Sequence, residues 1–172
     1  MSFDTLKAFL MQGIEVAKLN RAVMRDLAGD RDALKPAILV VAIGGLLSAL
    51  GPIDPVGIFL YPILTLVMFF LNVVLLHAMA SFMFKGYGRF NQLVQVLGAA
   101  YVLTWVAVLP FLGGILALIA SLWLLVIDVI TVEEVYGLDR RKALMSVVIP
   151  IIAVLLFMVL FGGLWGPRWG AL

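Results

Sequence analysis

The chain has 172 residues, of which 65% are hydrophobic and 13% charged, with a formal net charge of +2 and no cysteine. A soluble domain holds about 45–50% apolar and about 25% charged residues. A soluble core of this size could not hide so much apolar side chain, so lipid must solvate most of the surface. The missing cysteine excludes disulfides, thiol catalysis and sulfur-ligated metals, and it leaves the redox compartment open.

Residues 1–32 differ from the rest, carrying five of the twelve Lys/Arg and five of the ten Asp/Glu. The opening MSFDTLKAFLMQ shows no basic-then-apolar leader, no cleavage site and no glycine at position 2, so attachment is expected to come from membrane spans. Phe3, Leu6, Leu10, Ile14 and Ala17 recur at helical spacing opposite Asp4, Lys7, Glu15 and Lys18. This pattern reads as an amphipathic helix, either lying on lipid headgroups or docked under the bundle. Gly29 ends it, and Asp30 or Asp32 can cap the next helix, with Pro36 in the first turn.

Five apolar segments follow, at about 33–50, 57–84, 90–109, 112–132 and 143–164. The first carries Gly44, Gly45, Ser48 and Ala49, small residues that permit close helix approach. The fifth contains Pro150, expected to kink it. Basic residues alternate between connections. Six precede or open the first span, Lys85 and Arg89 lie in KGYGR, and Arg140, Arg141 and Lys142 precede the fifth span. GPIDPVG and PFLGG have none. Eleven of twelve basic residues therefore fall on one side, which the positive-inside rule makes the cytoplasm. Trp105, Trp165 and Trp169 are expected at the outer boundary, and Tyr87 and Tyr136 at the inner one. The fold class is an all-α membrane protein, a five-helix bundle with its N-terminus cytoplasmic and C-terminus outside. Its parts are a cytoplasmic amphipathic segment (1–32), a membrane domain (33–166) and a short external tail (167–172).

Asp128 is the costliest residue to insert, at about 2.5–3.5 kcal/mol near a helix centre. The fourteen Leu, Ile, Val or Phe between Phe111 and Val132 offset it by about 4–8 kcal/mol, so insertion wins. The acid must face the bundle or a water-filled pocket. It reads either as a proton or cation site or as a tie between helices. His77, Gln95 and Asp128 lie at similar depth, with Asn72 deeper, so at least one pair of these four is expected in contact. His77 and Ser81 share a helical face, yet no GxSxG elbow accompanies them. One histidine and no cysteine argue against zinc or copper, and no cofactor is expected. KGYGR lacks Walker spacing and reads as a tight turn. Anionic lipid suffices to explain the basic residues, and no nucleic-acid module is visible.

GYGRFNQLVQVLGAAYVL and VEEVYGLDRRKALMSVVIP, together with DRDALKPAILV before the first span, carry a resemblance to the Yip (Ypt-interacting protein) domain family. Its hairpin signature is an acidic pair, Tyr-Gly-Leu, then Lys-Ala-Leu. Here these are Glu133, Glu134, Tyr136, Gly137, Leu138, Lys142, Ala143 and Leu144. The resemblance covers about residues 20–165 and implies five spans, a cytosolic N-terminus and homo- or hetero-oligomers. In eukaryotic members it also implies Rab-type GTPase partners. The Asp-Leu-Tyr-Gly-Pro box is absent here, and Gly98 is followed by Ala99 in place of tyrosine. These departures count against GTPase binding and favour a prokaryotic inner-membrane member.

The expectation is thus a non-catalytic scaffold or adaptor meeting proteins or lipids at the cytoplasmic face. Its contact surface would be Lys85, Arg89, Glu133, Glu134, Tyr136, Arg140, Arg141 and Lys142. The rival is a small-solute or proton-coupled transporter or channel using Asp128 and His77. It requires a polar cavity that reaches Asp128.

Overall fold

The computed structural model describes residues 3–50, 54–109 and 111–165, and among these there is no β-strand. Expectations placed on Pro110, Arg168, Trp169, the 167–172 tail, the first residues of GPIDPVG, and the side chains of Phe3 and Trp165 fall outside the described residues.

Residues 1–32 form two helices, α1 (Phe3–Ala17) and α2 (Arg21–Gly29). The break lies at Leu19, which takes φ of 64°, and Asn20, whose side chain caps α2 and also donates to Glu15 at 3.2 Å. A leucine in the left-handed region cannot continue a helix. Lys18, hydrogen-bonded to Glu15 at 2.7 Å, holds that carboxyl below its usual range. Both helices dock on protein. The buried face of α1 is Phe9, Gly13 and Val16, flanked by Leu6 and Leu10, while Ile14 stays 42% exposed. The face is therefore rotated from the expected stripe. Its reason is Gly13, where an added Cβ would lie 2.5 Å from the Ala99 carbonyl oxygen, so this closest approach fixes the azimuth.

Among the described residues, five helical segments are long and apolar enough to cross a membrane: Arg31–Leu50, Gly57–Met83, Phe90–Val108, Gly113–Tyr136 and Arg140–Leu160. Asp30 accepts from the Asp32 N–H and starts a 3-10 turn leading into α3 (Leu34–Leu50). α3 is central, packing on α4 (Gly57–Ala78) and on α5 (Phe90–Ala100). Two adjacent glycines serve two neighbours. A Cβ on Gly45 would meet Pro62 Cα at 2.7 Å, and one on Gly44 would meet Thr104 Oγ1 at 2.6 Å. Asp54 caps the turn before α4 through the N–H groups of Gly57 and Val56, at 3.0 and 3.1 Å. The Gly57 bond, with help from the Tyr61 hydroxyl, holds the Asp54 carboxyl below its usual range.

Two irregularities were not foreseen. α4 widens into a π turn over Met79–Met83. α5 tightens into a 3-10 stretch over Tyr101–Val108, where Thr104 Oγ1 donates back to the Tyr101 carbonyl at 2.8 Å. Eleven α residues and eight 3-10 residues reach about 32 Å, against about 28 Å if all were α, so the tightening helps a short span cross about 30 Å of hydrocarbon.

α6 (Gly113–Tyr136) ends at Gly137, which takes φ of 63° as a left-handed cap. α7 (Arg140–Trp165) stays helical through Pro150, and every residue of 151–160 is exposed. The buried core lies toward the ends of the spans that carry the basic residues. There Met24, Leu27, Val73, Leu76, Leu93, Leu97, Ile127 and Val132 pack together and α1 and α2 close the side. Phe59, Ile63, Val67, Leu118, Leu122 and Phe157 remain exposed, as a lipid-facing surface requires.

Candidate functional site

The connections at the basic end converge on one residue. Tyr136, 1% exposed, lies under the loop of residues 84–89. The Tyr87 N–H donates to the Tyr136 carbonyl at 3.3 Å, and Cβ atoms on Gly86 or Gly88 would lie 2.7 or 2.8 Å from the Tyr136 side chain. The glycines of KGYGR therefore let backbone straddle an aromatic ring, and residues 85–89 run as an open loop in place of the tight turn expected, with Lys85 in the left-handed region at φ of 55°. The Tyr136 hydroxyl lies 2.5 Å from His77 Nδ1, which also meets Ser81 Oγ at 3.4 Å.

The four polar residues expected in one cluster divide among three places. Asn72 Nδ2 donates to Asp128 Oδ2 at 3.3 Å, a pair that meets the expectation of at least one contact. His77 faces Tyr136 instead, with Phe90 edge-on to its ring. Gln95 turns toward α2, donating from Nε2 to the Asp30 carbonyl at 2.7 Å. Position along a span gave their depth, but rotation about each helix separates them.

Asp128 is 5% exposed. It lines none of four cavities found along the bundle. One of these, about 300 Å³ between α4 and α7, reaches its partner Asn72 but is otherwise apolar, bordered by Met68, Leu71, Val147 and Val154. A second, about 370 Å³, lies among Ser48, Tyr61, Thr65 and Tyr101.

The acidic pair is largely covered within the chain. Glu133 and Glu134 have side chains only 9% and 10% exposed because Arg21 covers both, at 2.7 and 2.6 Å, with Arg25 3.3 Å from Glu134 and Arg140 3.6 Å from Glu133. Glu134, then Glu133, holds the Arg21 guanidinium protonated even more firmly than usual. Tyr136 is also covered, and the exposed members of the expected set are Lys85, Arg89, Arg140, Arg141 and Lys142. Sequence reasoning missed Arg21 and Arg25. Their i, i+4 spacing on one face of α2, matched to adjacent glutamates, was the available signal.

Two further cavities adjoin this end. A trough of about 610 Å³ between α6 and α7 has Arg140 and Arg141 among its borders and Leu125, Val129 and Val148 along its walls. A pocket of about 790 Å³ lies between the end of α2, Tyr87 and the first turns of α5, and includes Arg31, Arg89 and Gln95. Of the expected aromatic belt, Tyr87 is 96% exposed. Trp105 instead turns inward, donating to the Val40 carbonyl at 3.2 Å, and Trp123 tethers α1 through the Ala17 carbonyl at 2.8 Å. Among the described residues no three His, Asp or Glu side chains gather to hold a metal ion.

No curated protein and no solved structure gives a match to this chain. The family model for the Yip1 domain matches residues 16–161, nearly the whole helical region from the end of α1 into α7. With five apolar helices in the order described, the chain is an integral membrane protein and belongs to the Yip1 domain family.

Proposed function

We propose that the protein is a non-catalytic membrane scaffold or adaptor of a bacterial inner membrane, with its basic end in the cytoplasm and its contacts made there with proteins or lipids. The observation that carries this reading is the distribution of polar groups. The basic residues of the loops and the Arg21–Glu133–Glu134 ion pairs gather at one end, with Asp54 the acid of the opposite connection, whereas Asp128 is enclosed and bonded to Asn72. Arg21 and Arg25 cover Glu133 and Glu134, Arg140 and Lys142 each stand 3.6 Å from a carboxylate, of Glu133 and Asp139, and Lys85, Arg89 and Arg141 add to a net positive surface. Such a surface suits anionic lipid and acidic protein segments. The trough bordered by Arg140 and Arg141 combines an apolar wall with cationic groups, the pairing that a phospholipid presents in reverse.

The test is recruitment. The triple variant Arg140→Gln, Arg141→Gln, Lys142→Gln should insert normally, as read by carbonate extraction, yet lose the proteins that co-purify with the wild type from membranes. An unchanged set of partners overturns the reading. The rival, a coupled transporter, draws support from the buried Asn72–Asp128 pair beside the α4–α7 groove. A solute flux in proteoliposomes that disappears in Asp128→Asn would establish it.

A further inference from the structure

We infer that the pocket between α2 and α5 binds the headgroup of an anionic, hydroxyl-bearing phospholipid, such as a phosphoglycerol headgroup. This rests on the reading above and gives its lipid contact an address. Arg31 and Arg89 come from different segments and line the same cavity of about 790 Å³. Among the described residues neither has a carboxylate within ion-pairing distance, whereas Arg21, Arg25 and Arg140 all do. The neighbouring Asp30 accepts the Asp32 N–H on Oδ1 and lies beyond ion-pairing distance of both arginines. Two unneutralised guanidiniums on one cavity repel each other and favour an anion, and a phosphate matches the planar donor fork of arginine.

Gln95 narrows the ligand further. It lines the same pocket and is 4% exposed. Its Nε2 donates to the Asp30 carbonyl at 2.7 Å, which fixes the amide, because the flipped form would set two oxygens against each other. Its Oε1 is then an acceptor without a donor, covered in the unliganded protein, so a headgroup has to part the residues over it to reach it. A bare phosphate dianion cannot supply that donor, whereas a hydroxyl on the headgroup can. An ammonium group would also donate, but it would bring a third positive charge beside Arg31 and Arg89. Asn91 borders the cavity too. Gln92 uses its Oε1 to accept the Arg89 N–H at 2.8 Å, leaving its amide N–H groups for phosphate oxygens.

Position selects a lipid over a soluble phosphate ester. Arg31 opens the first apolar span, and Arg89 immediately precedes the third, which begins at Phe90. Both guanidiniums are thus anchored at the boundary where headgroups lie. Leu34 and Val135 supply apolar wall and Tyr87 an exposed aromatic at the rim.

The experiment is native mass spectrometry of the full-length protein in detergent, titrated with phosphatidylglycerol, phosphatidylethanolamine or phosphatidic acid of matched chains, and separately with free glycerol 1-phosphate. Wild type should bind phosphatidylglycerol in preference to both other lipids. Arg31→Gln and Arg89→Gln should each weaken it about tenfold, the size of one charge-assisted hydrogen bond. Gln95→Leu should erase the preference over phosphatidic acid while leaving phosphate-driven binding. Both arginines are exposed, so their variants should keep the wild-type thermal midpoint without lipid. Equal binding of phosphatidylglycerol and phosphatidylethanolamine, or unchanged affinity in both arginine variants, overturns the site. Equally tight binding of glycerol 1-phosphate overturns the lipid assignment. Loss of recruitment in the Arg140/Arg141/Lys142 variant is a separate readout, so either proposal can fail alone.

Discussion

Arg21→Gln should loosen the α1–α2 pair from the bundle without unfolding the spans. The guanidinium makes two short contacts, 2.6 and 2.7 Å, to carboxylates that are only 9% and 10% exposed, but Arg21 itself is 45% exposed. A hydrogen bond to a charged group contributes about 1.5–3 kcal/mol when shielded and an exposed ion pair about 0–1 kcal/mol. The two contacts, discounted for solvent on the arginine side and for the remaining Arg25 and Arg140 pairs, together contribute about 1–3 kcal/mol. Hydrogen exchange is the direct assay. Amides of Met24 and Leu27, both fully buried, should exchange about 5- to 150-fold faster in the variant. Amides near Leu93 should change less, because the core beneath α2 is held by other helices. Exchange at Met24 and Leu27 within twofold of wild type would refute the claim that the acidic pair is a fastening. A double-mutant cycle with Glu134→Gln should show coupling, since the residues touch.

Gly88→Ala should lower the thermal midpoint by the equivalent of about 1–3 kcal/mol, because the added methyl would lie 2.8 Å from the Tyr136 ring. A midpoint equal to wild type would mean that the loop does not clamp Tyr136. Asn72→Leu should destabilise by about 1.5–3 kcal/mol, as it strips Asp128 of its donor, whereas the double variant Asn72→Leu, Asp128→Leu should recover most of that loss. Calorimetry in one detergent decides it. Asp54 supplies a pH dependence. Its folded pKa lies below the ordinary value, so its contribution is present in full above that value (about 3.9) and is lost as pH falls through the folded one. Exchange at the Val56 and Gly57 amides should therefore speed up, relative to neighbouring amides, only in acid. Equal behaviour in Asp54→Ala would contradict the cap.

The spans were legible because their signal is length, apolar content and punctuation. Gly57 and Phe90 open helices where the sequence places them, and Leu50 closes one. Alternating charge gave the depth of each polar residue. Rotation about the helix axis was not legible. Gln95 and Asp128 lie at comparable depth yet face α2 and α4, because azimuth is set by close backbone approaches such as Gly13 on Ala99 and Gly45 on Pro62. Hydrophobic periodicity assigns little weight to a glycine, so the buried face of α1 was misplaced. The break at Asn20 carried a readable N-cap signal, but the left-handed Leu19 before it did not. The acidic pair reads as exposed beside its loop, since nothing local announces that α2 folds back over it.

Topology is the claim on which the cytoplasmic assignment stands. The chain has no cysteine, so single replacements can be probed without background. Val56→Cys and Phe111→Cys, at sites 71% and 103% exposed, should react with a membrane-impermeant maleimide in intact cells. Tyr87→Cys, at a 96% exposed site, and Arg141→Cys should react only after permeabilisation. Labelling of Tyr87→Cys and Phe111→Cys from the same side of the membrane would contradict the account.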